Sequence, residues 1–472
     1  MIKIVLNNEK FRYDIYQIVN LYYGFQDIKF VDDYGDFYIN IDENSMEIKG
    51  ITLEKTYEFK NNIKDNVKEG VFRYFRDLTN KNLPWGTLVG IRPSKIALTL
   101  LQENKSEKEI VQYFKDRYLA IEEKAKLCID VAKYEDKFIN NKKDKVSIYI
   151  GMPFCPTRCL YCSFTSNPIA SNKKLVDPYL DALIKEIIAL DAYVKEKNLE
   201  VECVYFGGGT PTAVNDEQFE RLMVEIYNNL IKDKIIGEFT VECGRPDSIT
   251  KEKLTTMKKY EVSRISINPQ TMNDSTLKAI GRNHSSTLVK EVFKEARDMG
   301  FDNINMDLIV GLPGERTLQV EKSCDEILKL EPDSLTIHGM SVKRASRLYE
   351  QICLKKEFSI PEQEELNHMY NLTKELANKL YMKPYYMYRQ KNMVGNMENV
   401  GYSKVEKEGI YNIQMIEEHQ TIIALGADAV SKVVFLDEDR IERFANVKDV
   451  REYISRIDEM IYKKQQLLNT LY

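Results

Sequence analysis

Three cysteines form the most chemically informative pattern in this chain: Cys155, Cys159 and Cys162 in the run IYIGMPFCPTRCLYCSF, spaced Cys-x3-Cys-x2-Cys after an apolar, strand-like segment. Three thiolates are one short of closing a tetrahedral zinc site, and one short of ligating every iron of a four-iron cluster. If they hold four irons, one iron has no protein ligand and is open to a substrate or cofactor. The spacing therefore points to a reactive centre and not to a structural staple.

A second motif, GGGTPT from Gly207 to Thr212, follows a strand-like run and precedes a helix-like one. Glycines let the backbone approach a ligand closely, and the exposed amides can cradle a polar or anionic group. Its spacing is neither that of a Walker lysine loop nor that of a dinucleotide fingerprint. Taken alone, it reads equally well as a tight strand-to-helix turn.

Both motifs need elements to hold them. Between residues 146 and 340, β-branched runs (VSIYIG, VECVYF, EFTVEC, SRISIN, NINMDLIVG and SLTIHG) alternate with amphipathic stretches such as DPYLDALIKEIIALDAYVKEK and SSTLVKEVFKEARDMG. The alternation predicts an α/β fold with a parallel sheet covered by helices, either an open wound sheet or an incomplete barrel. In both, ligands meet the carboxyl ends of the strands. The cysteines follow the first strand, the glycines follow the second, Glu242 nearly ends the third, Gln270 follows the fourth and Asp307 lies late in the fifth. Scattered motifs thus converge on one mouth.

The flanks read differently. Residues 1–145 form an α/β extension, strand-like around RYDIYQIVNLYYG and then mostly helical, with an interruption at LPWGTLVGIRPSK that holds Trp85, the single tryptophan. That insert is either a loop covering the mouth or a packed turn, and an aromatic beside Gly and Pro is more often a turn anchor. Residues 346–472 are mainly helical with a mixed middle. The expected division is therefore 1–145, 146–345 and 346–472.

Composition limits the function classes. The 73 acidic and 68 basic residues give a net charge of -5, which offers no bulk attraction to nucleic acid. No apolar run reaches a spanning length and no leader pattern opens the chain, so a cytoplasmic protein without a membrane span is expected. Cys128, Cys203, Cys243, Cys324 and Cys353 are scattered, as expected of small buried hydrophobes. Of the histidines, His284 and His338 fall closest to the mouth, without an assigned role.

The cysteine spacing with GGGTPT downstream resembles the radical S-adenosylmethionine (SAM) superfamily, in the branch of oxygen-independent coproporphyrinogen III dehydrogenase. The likeness spans roughly residues 145–345, and the extension resembles that of longer Gram-positive homologues sharing LPWG and GIRPSK-like stretches. It implies a partial (β/α)6 barrel, one 4Fe-4S cluster on Cys155, Cys159 and Cys162, and SAM in one copy or two. By the same resemblance, Tyr149 and Tyr161 contact the cofactor, Gly208, Gly209 and Thr210 match the motif that receives the methionine amino group and a second cofactor, and Glu242 binds the cofactor as a carboxylate. Gln270, Arg282 and Asp307 match a second cofactor site, with the family's intervals of 12 and 25 residues kept.

The activity implied is radical oxidation in haem biosynthesis: a porphyrinogen propionate loses hydrogen and carbon dioxide to leave a vinyl group, with a flavodoxin- or ferredoxin-type electron donor. Two departures mark this chain. Cys162 is followed by Ser163 and Phe164 where the dehydrogenases continue Cys-x-Cys, a change shared with haem-chaperone relatives. The chaperones' His-Asn-x-x-Tyr-Trp motif is replaced by YNIQMI, Tyr411 to Ile416, which removes its axial ligand and stacking platform. Decarboxylation of coproporphyrinogen III is the leading expectation. A haem-binding carrier, or a radical enzyme that methylates or opens a tetrapyrrole, are the alternatives.

Overall fold

The computed structural model describes residues 1–24, 28–60, 62–90, 92–139, 142–162, 167–343, 346–354 and 359–472. Ser163 and Phe164, the departure after the third cysteine, lie outside the described residues, as does the side chain of Cys353.

A small sheet opens the chain. Strands β1 (Ile2–Leu6), β2 (Ile28–Phe30), β3 (Phe37–Ile41), β4 (Ser45–Gly50) and β5 (Glu54–Glu58) pair in the order β2-β1-β3-β4-β5. Strand β3 alternates buried and exposed residues, as a strand with one covered face must. Helices Arg12–Tyr22 and Ile63–Thr79 supply that cover, and their Ile15, Val19, Val71 and Phe75 meet Ile4, Ile39 and Ile48 in one core.

The large sheet holds the predicted runs. Strands β6 (Lys145–Met152), β9 (Glu200–Gly208), β10 (Glu238–Gly244), β11 (Arg264–Ile267), β12 (Ile304–Val310) and β13 (Ser334–Gly339) are parallel neighbours in that order, and the two-residue pair β7 (Phe154–Cys155) and β8 (Asn167–Pro168) lies between β6 and β9 in sequence. Helices including Ile169–Glu196, Asp216–Ile226, Lys251–Lys259, Ser286–Asp298 and Thr317–Leu330 alternate with them. The sheet is open, and both its edge strands come from beyond residue 345.

Beyond residue 345 the expected helices are present at Gln363–Lys379 and Ile457–Leu468, but the mixed middle does more than connect them. Strands β14 (Lys383–Tyr388) and β15 (Asn399–Ser403) extend the sheet antiparallel beyond β13. Strand β16 (Thr421–Leu425) joins β6 in parallel, followed by antiparallel β17 (Val430–Phe435) and β18 (Arg440–Ala445). Packing divides between Leu83 and Trp85: Ile2–Leu83 belong to the small core, while Trp85 and the helical residues after it join the core of the large sheet.

The LPWG insert is a packed turn. Trp85 is fully buried, its Nε1–H donates to Glu398 Oε2 at 2.6 Å, and the Arg389 guanidinium lies 4.5 Å from its ring centroid. It anchors on the segment between β14 and β15 and is not among the residues lining the cavity at the mouth.

Candidate active site

Parallel strands covered on both faces usually read as continuous apolar runs. These strands depart from that rule at every second residue: Thr240 and Glu242 on β10, Ser266 on β11 with Asn268 just beyond it, Asn305 and Asp307 on β12, Thr336 and His338 on β13. Successive strand side chains point to opposite faces, so the polar set shares one side while Val241, Ile265, Met306 and Ile337 enter the core. The polar set, together with Tyr205, Tyr386, Tyr388 and Asn399, lines a single cavity of about 390 Å³. A sheet whose strands from β9 to β15 face one cavity wraps around it.

The three thiols stand at the cavity's end. Cys155 is buried while Cys159 and Cys162 are partly exposed, and all of them line the cavity. Their loop is pinned by three hydrogen bonds to two segments: Leu160 N–H donates to Ile280 O at 2.9 Å and Thr157 Oγ1 to Gly281 O at 3.0 Å, while Leu348 N–H donates to Leu160 O at 3.1 Å. Burial is the main reason the Cys155 thiol is pushed up to about 11, with Thr210 opposing and the other two cysteines adding to the rise.

The glycine turn is built for close approach. Gly209 N–H donates to Met152 O at 2.6 Å and Thr210 N–H to Phe154 O at 2.8 Å, which seats the turn on the cysteine loop. Gly208 has φ +105, open in practice to glycine alone, and a Cβ on Gly209 would lie 2.9 Å from Cys155 Sγ. The helix that follows starts at Asp216 behind an Asn215–Gln218 capping box.

Across the cavity sit the predicted polar residues. Glu242 is pushed up to about 7, first by burial and then by Asp307, while Tyr205, His338 and the Gly208 amide oppose the rise. Arg282 donates to the Tyr161 hydroxyl at 3.1 Å and to the Gly244 and Asn268 carbonyls at 3.0 and 2.8 Å. Gln270 has φ 68 and bridges to β12, its N–H donating to Asp307 O and its carbonyl accepting from Ile309 N–H, both at 2.9 Å. A left-handed glutamine costs about 1–2 kcal/mol, and such strain persists where the surroundings impose it. Asp307 accepts from Asn305 Nδ2 at 2.7 Å and lies 3.5 Å from His338 Nε2.

The site has the donor set for the implied cofactors. Among the described residues no three His, Cys, Asp or Glu converge on a single-ion site; in a four-iron cubane each thiolate serves a different iron, so the thiols need not converge on one point. Ser266 Oγ, Asn268 Oδ1, Gln270 Oε1 and Arg282 Nε are buried without a hydrogen-bond partner, and all belong to residues lining the cavity. Each unpaired buried group costs about 1–3 kcal/mol, which a bound polar ligand would recover. Such a mixture of acceptors, a guanidinium, carboxylates and unobstructed glycine backbone suits a ligand carrying an amino acid and a ribose.

The structure gathers Tyr161, Gly208, Gly209, Thr210, Glu242, Gln270, Arg282 and Asp307 with the three cysteines around this cavity. Tyr149 is placed apart from its lining, stacked 6.2 Å from both Tyr205 and Tyr411. Sequence reasoning missed Arg245, Asn268, Asn305 and Tyr388, and it placed His338 near the mouth without giving it a role. Alternate polar positions inside apolar strands signal Asn305 and His338. Tyr388 carries no local signal, since only the recruitment of β14 brings it to within 3.3 Å of His338 Nδ1.

Comparison with known proteins gives consistent results. A sequence profile of the Radical SAM superfamily matches residues 149–327. The oxygen-independent coproporphyrinogen-III oxidase-like protein HemZ of Bacillus subtilis (strain 168) is 36% identical over 490 aligned positions, covering 99% of this chain and 97% of the relative. The heme chaperone HemW of the same organism is 35% identical over 48% of this chain and 58% of its own length. Among solved structures, coproporphyrinogen III oxidase (HemN) from Escherichia coli superimposes with a TM-score of 0.52 at 20% identity, covering 72% of this chain and 73% of that one, a likeness of fold.

Proposed function

We propose, since the chain belongs to the radical SAM superfamily and within it to the oxygen-independent coproporphyrinogen-III oxidase-like proteins, that it oxidatively decarboxylates coproporphyrinogen III propionates to give protoporphyrinogen IX. The observation that carries this reading is the single cavity shared by three thiols, a glycine turn and a ring of polar strand residues. When bound, the cluster and SAM supply a carbon-centred radical able to remove hydrogen from an unactivated carbon.

The chain's own residues bind, orient and exclude water. Cys155, Cys159 and Cys162 hold the cluster. Gly208, Gly209 and Thr210 present backbone to the methionine end of SAM, and Glu242, ionised in the complex, receives its ammonium group. Gln270, Arg282 and Asp307 take the second polar ligand, a further SAM or the substrate itself. Tyr149 supports this floor through its ring stack with Tyr205. Arg264, Arg282 and Lys343 add positive charge to the cavity wall, which suits a polycarboxylate. A cytoplasmic flavodoxin or ferredoxin would supply the electron.

Haem carriage is the second reading. It is favoured by the likeness to HemW and by His338 and Met415, two side chains of haem-ligating type that line the same cavity.

Anaerobic reconstitution with iron, sulfide and reductant, followed by SAM and coproporphyrinogen III, separates the readings. Decarboxylation yields 5'-deoxyadenosine, carbon dioxide and the divinyl product. 5'-Deoxyadenosine without carbon dioxide overturns the decarboxylase assignment, and haem transfer without SAM cleavage favours the carrier.

A further inference from the structure

Arg245 sits immediately after β10 and is 4% exposed. Its backbone is fixed by the turn over Pro246–Ser248, in which Ser248 N–H donates to Arg245 O at 2.9 Å. Two of its nitrogens, Nε and Nη2, fork onto the Asp247 carboxylate at 2.9 and 2.8 Å. The remaining Nη1 turns to the cysteine loop, 3.0 Å from Thr157 Oγ1 and 3.6 Å from Cys159 Sγ, a residue 86 positions earlier in the chain.

This is more than a salt bridge beside a loop. A guanidinium needing only structural partners is already oriented by the carboxylate fork; the third nitrogen divides between Thr157, with Oγ1 at 3.0 Å and O at 3.5 Å, and the Cys159 sulfur at 3.6 Å. The neighbouring His284 adds no competing charge. Its side chain is fully buried with Nδ1 3.8 Å from Asp247, and burial, aided by Arg282, pushes it down to about 4. Arg245, paired with Asp247, thus brings its charge to Cys159, and it also lowers the Cys155 thiol, whose hydrogen-bond partner is the neutral Thr210 hydroxyl.

We infer that Arg245 is a positioning residue for the cluster, holding Cys159 through an N–H···S hydrogen bond and setting, with Asp247, how readily the cluster accepts an electron. The inference rests on the functional reading above. Hydrogen bonds to the sulfurs and local net charge are the protein's levers on the potential of an iron–sulfur centre. A buried cation acts there with little screening. A cluster held by these thiolates would gain negative charge on one-electron reduction, and the Arg245 guanidinium beside Cys159 would stabilise that more reduced form.

The test is an EPR-monitored redox titration of anaerobically reconstituted protein, with dithionite as electron source and iron and sulfide counted on each sample. Arg245→Gln should retain iron and sulfide and make reduction about tenfold less favourable, about 59 mV more negative for a one-electron couple. Arg245→Lys, which keeps the charge, should restore most of the difference. Asp247→Asn removes the compensating carboxylate and should shift the potential in the positive direction. A fully loaded Arg245→Gln protein at the wild-type potential overturns the inference. If Arg245→Gln loses its cluster, Asp247→Asn decides, and an unchanged or more negative potential overturns it. A wild-type protein that takes up no iron and sulfide refutes the functional reading itself, an outcome distinct from a loaded cluster indifferent to Arg245.

Discussion

The indole nitrogen of Trp85 donates a hydrogen bond to the Glu398 carboxylate at 2.6 Å, joining positions 313 residues apart. Lys124 reaches the other oxygen of Glu398 at 2.6 Å, and Tyr370 OH donates to the Glu398 carbonyl at 3.0 Å. This buried knot ties the helices before the large sheet to the segment between β14 and β15, and so braces the tyrosine wall of the cavity. Trp85→Phe removes one bond to a charged acceptor and should cost about 1.5–3 kcal/mol, read as a lower denaturation midpoint. A lid would behave otherwise, with ligand affinity changing at unaltered stability.

The proposed cluster ligands can be told apart from the other cysteines by experiment. Alanine at Cys155, Cys159 or Cys162 should abolish the iron–sulfur absorbance of anaerobically purified protein. Cys243→Ala, at a buried thiol pushed up to about 12 chiefly by burial, should leave that absorbance intact and lower stability only. Full cluster content in any of the first three variants would sink the ligand assignment.

Gly209→Ala tests the close approach of the glycine turn. Its Cβ would lie 2.7 Å from Phe154 O and 2.9 Å from both Met152 O and Cys155 Sγ, so backbone must move and carry the thiol with it. Lower iron content after reconstitution is the expected outcome. Gly314→Ala, with φ +78 and nothing within 4 Å of its Cβ, should cost about 1 kcal/mol of stability and keep full iron.

The role proposed for Glu242 predicts a pH signature for SAM binding. In the ligand-free protein its carboxyl is pushed up to about 7, whereas an ammonium partner needs the carboxylate. Binding therefore expels a proton below pH 7, and affinity should fall as pH drops through 7, approaching tenfold per pH unit. Calorimetry in buffers of differing ionisation enthalpy should detect that proton, and Glu242→Gln should remove it. Wild-type affinity that stays flat from pH 6 to 8 would exclude the role.

A second buried carboxyl bears on stability alone. Glu135 and Glu417 are both buried beside each other, and Glu135 is pushed up to about 10, by burial first and then by Glu417, with Arg92 and Ser94 opposing. The folded state keeps a proton that the unfolded chain loses near its ordinary value of 4.5. The sign follows from linkage: stability is greatest below that value and declines as pH rises toward 10. Glu135→Gln should flatten the dependence of Tm on pH between 5 and 9; an unchanged slope would show that the pair does not titrate this way.

Much of this molecule is readable without coordinates, because the deciding patterns are local. The Cys-x3-Cys-x2-Cys spacing, the GGGTPT turn and the six strand runs each occupy a few adjacent residues, and a strand's period of two fixes which side chains share a face. Position near the carboxyl ends of their strands placed Glu242 and Asp307 at one mouth, and the period of two carried the signal for Asn305 and His338. The tertiary structure alone decided what no periodicity encodes: that residues 383–445 supply strands to both edges of the sheet, that Tyr388 meets His338, that Trp85 anchors on Glu398, and that Arg245 reaches Cys159. Apolar burial drives these long-range associations but is not directional. Their partners are fixed only when the whole sheet has wrapped and each buried polar group must find a specific acceptor or donor.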